Sequence, residues 1–341
     1  MENTILEYRV RSGDTLKSIS SRLGMTDEEL KLFHNSHCPK TDIIRLKSLT
    51  GIRRILVPAV FKSEKQQREE RKNRLPSSLL LDSFYASSYK VSENIESLYE
   101  PNISISYTVD LNLNKDHYKN QLILSYVQKD FKSDEQIVED KVSSLSIASM
   151  NSIMPLCFII HDQGNITGLA DHKKLMTAFT ERRQQIEDFF TGEIAEIYMN
   201  SFERSIIDEI FVLQQFQSTL LFQSLFPELN RFHQTKAWKE TFYFYKNSFP
   251  VQCEMNIEQE ISDDRLVKTT LNGSLAEPYS LQEIIRGIRL PELPAEPASG
   301  NILLEYTTHQ QSKNLLQLKA SVSLREGKDL IHRHTITLIQ E

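Results

Sequence analysis

The sequence predicts an α+β protein built from a small module and a larger domain. Three observations indicate this class: residues 6–59 follow the order strand, helix, helix, strand; residues 103–113 are apolar at every second position; and residues from about 171 to 226 are apolar at every third or fourth position. Because strands and helices occur in separate blocks, we expect a curved antiparallel sheet around long amphipathic helices. The predicted divisions are a module at 1–60, a charged linker at 61–78 and the larger domain at 79–341.

Local signals define the first half of the module. Residues 8–10 alternate between apolar and charged side chains, which is typical of a strand with one buried face. Asp14 or Thr15 can cap the helix that follows, and Gly24 lies where a left-handed residue would end it. Residues 53–58 have the composition of a second strand that stops at its proline.

The second helix of the module begins at a capping box. Thr26–Glu29 has a threonine at the N-cap and a glutamate three residues later. Asn35 is the expected end of this helix. In the longer connection that follows, Ile43, Ile44 and Leu46 are expected to form an extra helical turn packed across a groove.

The module carries a specific set of residues in this order: Tyr8, Val10, Gly13–Leu16, Ile19, Gly24, Leu30, Asn35 and Ile55–Pro58. The pattern resembles the LysM family over residues 6–59. LysM domains bind N-acetylglucosamine polymers such as peptidoglycan or chitin, between the turn after the first strand and the loop before the last. The resemblance implies a glycan-binding or partner-binding site at Gly13, Asp14, Thr15, Leu16, Asn35, Ile43 and Ile44. The same motif also has a purely structural interpretation, as turn, helix cap and core leucine.

Residues 61–78 are charged and almost without apolar side chains. Two interpretations remain open for this linker. It forms an exposed helix with opposite charges four residues apart, such as Glu64 and Arg68, or it is a flexible tether.

The larger domain alternates strands with a helical block. Residues 121–131 are the expected hairpin partner of the strand at 103–113. Apolar residues spaced by three and four predict one long helix of about eight turns over 194–220. Residues 251–261 and 266–275 predict a second hairpin that turns at Asp263–Asp264, and residues 290–300 form a proline-rich loop before three more strands. About seven strands are expected in all.

No residue pattern in the chain predicts catalysis. His332 and His334 could face one side of a strand with His309 nearby, but exposed strand residues are the favoured interpretation over a zinc site. The aromatic cluster at 242–245 could stack a ligand and is more typical of sheet core, and Cys157 has the setting of a small buried side chain. We therefore predict no enzyme, no metal and no cofactor.

Composition limits the partners and the compartment. The formal charge of −6 gives no support for nucleic-acid binding. No apolar run is long enough to predict a membrane span, and the three cysteines have neither disulfide nor metal spacing. The residues after Met1 lack the features of an export signal, so we expect a cytoplasmic protein or one exported by a route other than Sec.

Three functions fit these observations. The first is a non-enzymatic adaptor or assembly protein of a bacterial contractile apparatus, of the type VI or phage-tail kind, with protein partners. This hypothesis rests on analogy, since LysM-like modules without export signals occur in such machines. The second is a protein that binds peptidoglycan or chito-oligosaccharides and anchors its larger domain to the wall. The third is a cell-wall hydrolase whose active site lies within residues 79–341.

Overall fold

The computed structural model describes residues 5–46, 48–59, 64–116, 118–133, 136–137, 140–262, 265–288 and 296–341. The chain divides into two compact units, Met1–Asn73 and Arg74–Glu341. Helices and a large curved antiparallel sheet occur together, so the α+β class predicted from the sequence is confirmed. The predicted turn at Asp263–Asp264 and most of the proline-rich loop lie outside the described residues.

The N-terminal unit has the predicted order of strand, helix, helix and strand. Its elements are β1 Ile5–Arg9, α1 Leu16–Leu23, α2 Asp27–His37 and β2 Arg54–Pro58. The two strands pair antiparallel, with Glu7 opposite Leu56. Both helices turn apolar side chains towards a small core, which contains Leu16, Ile19, Met25, Leu30, Ile44, Ile55 and Val57.

The helix ends of this unit follow the local signals in the sequence. Thr15 is the N-cap of α1, and its hydroxyl accepts a hydrogen bond from the backbone N–H of Ser18. Gly24 ends α1 at φ +69°, in the left-handed region that glycine enters without a Cβ clash. Thr26 and Glu29 form the predicted capping box of α2.

The connection after α2 differs from the prediction in two ways. α2 continues past Asn35 to His37, because the Asn35 side chain bonds to a later loop instead of ending the helix. The extra turn is a short 3₁₀ helix at Lys40–Asp42, so the turn predicted at residues 43–46 is wrong. Ile44 points into the core, whereas the Leu46 side chain is exposed.

The charged linker contains a helix, α3, at Glu64–Arg74. The helical interpretation is therefore confirmed for residues 64–74. Residues 60–63 lie outside the described part of the chain. The proposed Glu64–Arg68 pair involves side chains that the structure does not describe.

Within its described residues, the C-terminal unit contains twelve strands in one sheet, compared with about seven predicted. They are β3 Ser88–Ser97, β4 Ile103–Asp116, β5 Gln121–Ser133, β6 Gln136–Ile137, β7 Leu156–Ile160, β8 Ile166–Leu169, β9 Trp238–Phe242, β10 Val251–Ile261, β11 Leu266–Leu275, β12 Ala298–His309, β13 Leu315–Glu326 and β14 Asp329–Gln340. The predicted hairpins β4–β5 and β10–β11 are confirmed.

All neighbouring strands pair antiparallel, in the order β8-β7-β5-β4-β3-β14-β13-β12-β11-β10-β9, with the short β6 beside β5. The last strand of the chain therefore lies in the middle of the sheet. β14 pairs with β3 on one side and with β13 on the other, for example with Thr337 opposite Ser92 and Lys319. It joins the strands that precede the helical block to those that follow it.

The helices of this unit are α4 Lys141–Ser152, α5 His172–Phe189, α6 Glu193–Ile207, α7 Glu209–Gln217, α8 Leu220–Leu225 and α9 Leu281–Arg286. The single helix predicted over 194–220 is wrong, because the chain breaks at two polar caps. Asp208 has an extended backbone and its carboxylate accepts bonds from the N–H groups of Ile210 and Phe211. Thr219 caps α8 in the same manner. Apolar residues continue at helical spacing through both breaks, so the sequence pattern did not predict where the helices end.

One large core joins the helices to one face of the sheet. Buried side chains alternate along the strands, as on β12, where every second residue from Ala298 to Thr308 is buried. The largest fully buried side chains in this core include Tyr89, Tyr126, Phe158, Phe179, Phe232 and Tyr306. The helices α4–α8 contribute core residues of their own, such as Leu145, Met199 and Val212.

Candidate functional site

The first group of predicted site residues, in the turn before α1, is bound into the fold of the N-terminal unit. The Asp14 carboxylate accepts hydrogen bonds from the backbone N–H of Arg11 at 2.9 Å, from the Arg22 guanidinium at 3.0 Å and from the Tyr8 hydroxyl at 3.2 Å. The Arg11 bond, followed by the contact with Arg22, holds the pKa of Asp14 below its ordinary value. Thr15 caps α1, and this turn is therefore a rigid feature of the unit.

Leu16 and Gly13 complete that group. The Leu16 side chain is fully buried in the small core. Gly13 has φ +88°, and no atom lies close to the position of a Cβ there. Gly13 is exposed and its backbone is open on the side where a Cβ would lie.

The second group lies between α2 and β2. The Asn35 amide donates to the carbonyl of Ile44 at 2.9 Å, and its oxygen accepts from the Ile44 N–H at 2.8 Å. This reciprocal pair holds the loop against the helix. Ile44 itself is buried, while Ile43 is 37% exposed. Asn35 and Ile44 thus bond to each other, whereas Asp14 and Thr15 bond to residues outside the predicted set.

A second candidate site, which the sequence did not predict, lies in the C-terminal unit. It is a cavity of about 790 Å³ between the sheet and the helices. Inward-facing residues of β3, β4 and β14 line one side, and α4, α6 and α7 contribute Ile147, Phe202 and Val212 on the other. A cavity of this size and composition falls within the usual range for small-molecule sites, about 300–1,000 Å³.

Strand register explains how the sheet side of the cavity forms. Ile95 on β3 lies opposite Ile103 on β4 and His334 on β14, so these three side chains form one row. Glu93, two residues earlier on β3, lies opposite Ile105 in the adjacent row. Because side chains two apart share a face of a strand, an acid stands in a surface that is otherwise mostly apolar.

Polar groups converge around Glu93. One carboxylate oxygen, Oε1, accepts a hydrogen bond from the Tyr107 hydroxyl at 2.6 Å. The other, Oε2, lies 3.6 Å from Nε2 of His334. The neighbouring His332 stacks on the ring of Tyr245, with ring centroids 4.0 Å apart. We call Glu93, Tyr107, His332 and His334 the polar cluster.

Burial decides the protonation of two members of the polar cluster. Burial, reinforced by the nearby Glu93 charge, raises the pKa of Tyr107 well above its usual value, so this phenol remains a hydrogen-bond donor. Burial, together with the neighbouring His334, lowers the pKa of His332 to about 4. His332 is therefore neutral at neutral pH.

The cavity opens to solvent at one side. Among its lining residues, Tyr99 is 75% exposed, Ile103 44% and Ile285 40%. Glu100 and Lys246 also line the cavity and add charges of both signs. Exposed apolar side chains beside a cavity provide a path along which an apolar molecule can enter.

The histidines occupy different places from those predicted. His332 is buried, so the interpretation of both histidines as exposed strand residues is wrong. His309 ends β12 and bonds to Ser312, beside the start of β13. His332 pairs with Leu324 near the other end of β13, so the two histidines lie at opposite ends of the strands. Across the described part of the chain, no three His, Cys, Asp or Glu residues are grouped as metal ligands would be.

The aromatic cluster at 242–245 contributes to both core and cavity. Phe242 and Phe244 are buried, and Tyr243, Phe244 and Tyr245 line the cavity. Sequence reasoning missed Glu93 and Tyr107 altogether. A signal was present, because Glu93 continues an inward-facing series of alternate residues on β3 that includes Tyr89, Val91 and Ile95.

The fold and the cavity define an α+β protein with a large curved antiparallel sheet. No family model matches the chain, and no curated protein matches it. A solved structure of lipovitellin, described for its lipid–protein interactions, is similar over 74% of this chain, with 10% identity and a TM-score of 0.35. This chain covers only 24% of that lipovitellin chain.

A protein of unknown function from the DUF3598 family, from Nostoc punctiforme, is similar over 75% of this chain and 96% of its own, with 9% identity and a TM-score of 0.11. Similarities this weak do not establish a shared fold. Within the described residues, no helix has the length and apolar character needed to cross a membrane.

Proposed function

We propose that the Arg74–Glu341 unit binds an amphipathic small molecule, in a chain that performs no catalysis. The observation that carries this proposal is the cavity of about 790 Å³, with apolar walls, a convergent polar cluster and an opening to solvent. Apolar clefts with a few convergent polar groups are the usual form of small-molecule sites. Burying apolar surface would supply the affinity, at about 25 cal/mol per Å².

The polar cluster supports binding better than catalysis. A nucleophilic mechanism needs a hydroxyl or thiol hydrogen-bonded to a base. The Tyr107 hydroxyl bonds to Glu93, but burial raises the pKa of this phenol well above its usual value, which makes it a poor nucleophile. Among the described residues, neither His332 nor His334 bonds to a hydroxyl or thiol. With its pKa lowered to about 4, His332 is also a weak base at neutral pH.

The test is a titration of the full chain with N-phenyl-1-naphthylamine, an uncharged probe that fluoresces in apolar surroundings. We expect saturable binding. Ile95→Trp and Ile147→Trp fill the cavity from the sheet and from α4, and each should weaken binding by about tenfold or more. Ile339→Trp is the matched control, since Ile339 is an exposed residue of β14 that does not line the cavity.

Circular dichroism would establish that the three variants keep the wild-type fold. A wild-type chain without saturable binding would contradict the proposal. So would equal affinity in folded cavity variants and in the control.

We also propose, as a second candidate function, that the N-terminal unit is a LysM-like docking module of a contractile secretion apparatus and that the chain acts inside the cell as an adaptor. The internal bonds of Asp14, Thr15 and Asn35 support this candidate, because they leave little side-chain capacity for a sugar. Leu32 and Leu46 are 69% and 78% exposed, and apolar surface of this kind suits a protein partner. Glycan binding is the alternative.

Two assays distinguish the adaptor hypothesis from the glycan-binding hypothesis: sedimentation of the full chain with insoluble peptidoglycan, and titration with chito-oligosaccharides. The adaptor proposal expects no binding in either assay. It also expects binding to purified tube or spike proteins that Leu46→Asp weakens. Saturable glycan binding that is lost when Asp14–Leu16 is altered would favour the wall-binding function instead. Wall degradation abolished by one carboxylate substitution would favour the hydrolase.

A further inference from the structure

We propose that the ligand of the cavity carries a hydroxyl head group, held between Glu93 and His334, on an extended apolar body. This inference rests on the proposed binding function and names its ligand class. It identifies where the polar end of the ligand binds. The apolar walls by themselves do not fix the position of that end.

The spacing of two atoms is the main argument. Glu93 Oε2 and His334 Nε2 are 3.6 Å apart. That distance exceeds the usual 2.7–3.2 Å of a hydrogen bond involving a nitrogen. A single oxygen atom about 2.8 Å from each would bond to both. The two groups are at ion-pair distance, and a hydroxyl oxygen that enters as their side chains part slightly would bond to both.

His334 gives an independent reason to expect such an atom. Its Nε2 is shielded from solvent and has no hydrogen-bond partner among the described residues. Most buried polar atoms in folded proteins are bonded, because an unsatisfied one has lost its bonds to water without replacement. A ligand that bonds to Nε2 would replace the lost bond on binding.

Tyr107 determines what the head group must do. Its hydroxyl already donates to Oε1 of Glu93, at 2.6 Å, which leaves Oε2 as the acceptor facing His334. A carboxylate oxygen that accepts a hydrogen bond needs a donor, and the head group would supply that proton. The His334 nitrogen donates or accepts a hydrogen bond according to its tautomer. A hydroxyl group can pair with it in both cases, because a hydroxyl both donates and accepts.

Other head groups fit less well. A carboxylate would place a second negative charge beside Glu93 in a site of low polarity. An ammonium group could donate to Glu93 but could not accept a bond from a protonated His334 Nε2. An alcohol donates to the carboxylate and accepts from the imidazole, without burying a new charge.

The apolar walls determine the rest of the molecule. Ile103 and Ile105 on β4, together with Ile147 and Met150 on α4, line the cavity. At about 30 Å³ for each water-sized group, a volume of about 790 Å³ has room for roughly 25 non-hydrogen atoms. A single aliphatic chain or a small ring system with one hydroxyl meets this limit.

Competition against N-phenyl-1-naphthylamine tests the head group directly. Dodecanol, dodecanoate and dodecylamine share one alkyl chain and differ only at its end. At neutral pH we expect dodecanol to bind to the full chain at least about tenfold more tightly than dodecanoate, and more tightly than dodecylamine. Glu93→Gln should reduce the ratio between alcohol and carboxylate to about threefold or less, because it removes the buried charge.

Glu96→Gln is the matched control. Glu96 lies on the same strand, but it is 42% exposed, pairs with Arg333 and does not line the cavity. Its ratio should equal that of the wild type. His334→Leu is a second variant, which should weaken dodecanol by about tenfold while probe affinity changes by less than about threefold.

The outcomes separate the two proposals. Dodecanoate binding as tightly as dodecanol, or a wild-type ratio in both Glu93→Gln and His334→Leu, would overturn the hydroxyl assignment and leave cavity binding in place. If neither the probe nor dodecanol binds to the wild-type chain by fluorescence and calorimetry, both proposals fail together.

Discussion

His332 shows how the environment of one residue sets the properties of the cavity. The imidazole is 6% exposed and stacks on Tyr245, and burial lowers its pKa to about 4. A histidine in an unfolded chain has a pKa near 6.5. Between these values the unfolded chain binds a proton that the folded chain does not, so stability falls as the pH decreases from about 6.5 to about 4.

His332→Phe should reduce this acid sensitivity. Phenylalanine keeps the ring and its stacking on Tyr245 but cannot titrate, so on the order of 3 kcal/mol of acid-dependent stability loss should disappear between neutral pH and pH about 4. Urea unfolding at the two pH values, followed by the fluorescence of Trp238, measures the effect, because Trp238 is the one tryptophan in the sequence.

The control for this prediction is His161→Asn, in an exposed turn whose backbone contact with Gln163 an asparagine oxygen can replace. That variant should keep the wild-type dependence on pH. Identical acid sensitivity in His332→Phe and the wild type would show that His332 is not the group responsible.

Asn35 makes a structural contribution in the N-terminal unit, whether or not it also binds a partner. Asn35→Ala removes both bonds to Ile44 and leaves the backbone groups of that residue without them, at a cost of about 1–3 kcal/mol. Hydrogen exchange at the Ile44 amide should become faster. Ser36→Ala, at an exposed position of the same helix, should change stability by about 0.5 kcal/mol or less. Equal exchange rates in the two variants would contradict this assignment.

At the scale of elements, Asp208 separates the apolar stripe predicted over 194–220 into the helices α6 and α7. Its carboxylate accepts bonds from the first N–H groups of α7, and its own backbone is extended. The break leaves the side chains of Ile207 and Ile210 on the surface, at 57% and 68% exposure, while Ile206 and Val212 are buried. An uninterrupted helix would give these apolar residues different neighbours.

Asp208→Ala should destabilise the C-terminal unit by about 1 kcal/mol, the usual cost of losing an N-cap. Trp238 fluorescence during urea unfolding measures this change. Asp188→Ala is a suitable control. Asp188 is an exposed residue of α5 that bonds to Gln184 one turn earlier, and its loss should cost about 0.5 kcal/mol or less. A loss at Asp208 no greater than at Asp188 would argue against the capping role.

At the scale of the whole molecule, the central place of β14 makes the C-terminal unit depend on the end of the chain. β14 supplies the hydrogen bonds that link β3 to β13. It also carries His332 and His334, so the cavity is complete only after the last strand has paired. Pairing between segments far apart in sequence requires closing a long loop, which raises the entropic cost of folding.

Ending the chain at Lys328 should therefore prevent this unit from folding. Loss of β14 exposes the edges of two strands and the apolar side chains beneath it, so the shortened chain should aggregate or lack sharp thermal unfolding. A chain that lacks only Glu341 retains all of β14 and should unfold like the wild type. A soluble shortened chain with cooperative unfolding would contradict the importance of β14.

Local patterns in the sequence determined the elements whose signals lie within a few residues. The caps of α1 and α2, the left-handed Gly24 and the hairpins β4–β5 and β10–β11 all follow from short-range periodicity and turn chemistry. The same reasoning failed where a polar residue interrupted a strand pattern, as at Glu93, and where an apolar period ran through a break, as at Asp208.

Only the tertiary structure decided how the candidate cavity is made. Glu93 and His334 come from strands near opposite ends of the C-terminal unit, and the pairing of β3 with β14 brings them to 3.6 Å. A local pattern shows that each of these residues points to one face of a strand, but it does not show which strands become neighbours. That choice depends on the burial and hydrogen bonding of the whole sheet, since pairing partners are selected by contacts between distant segments.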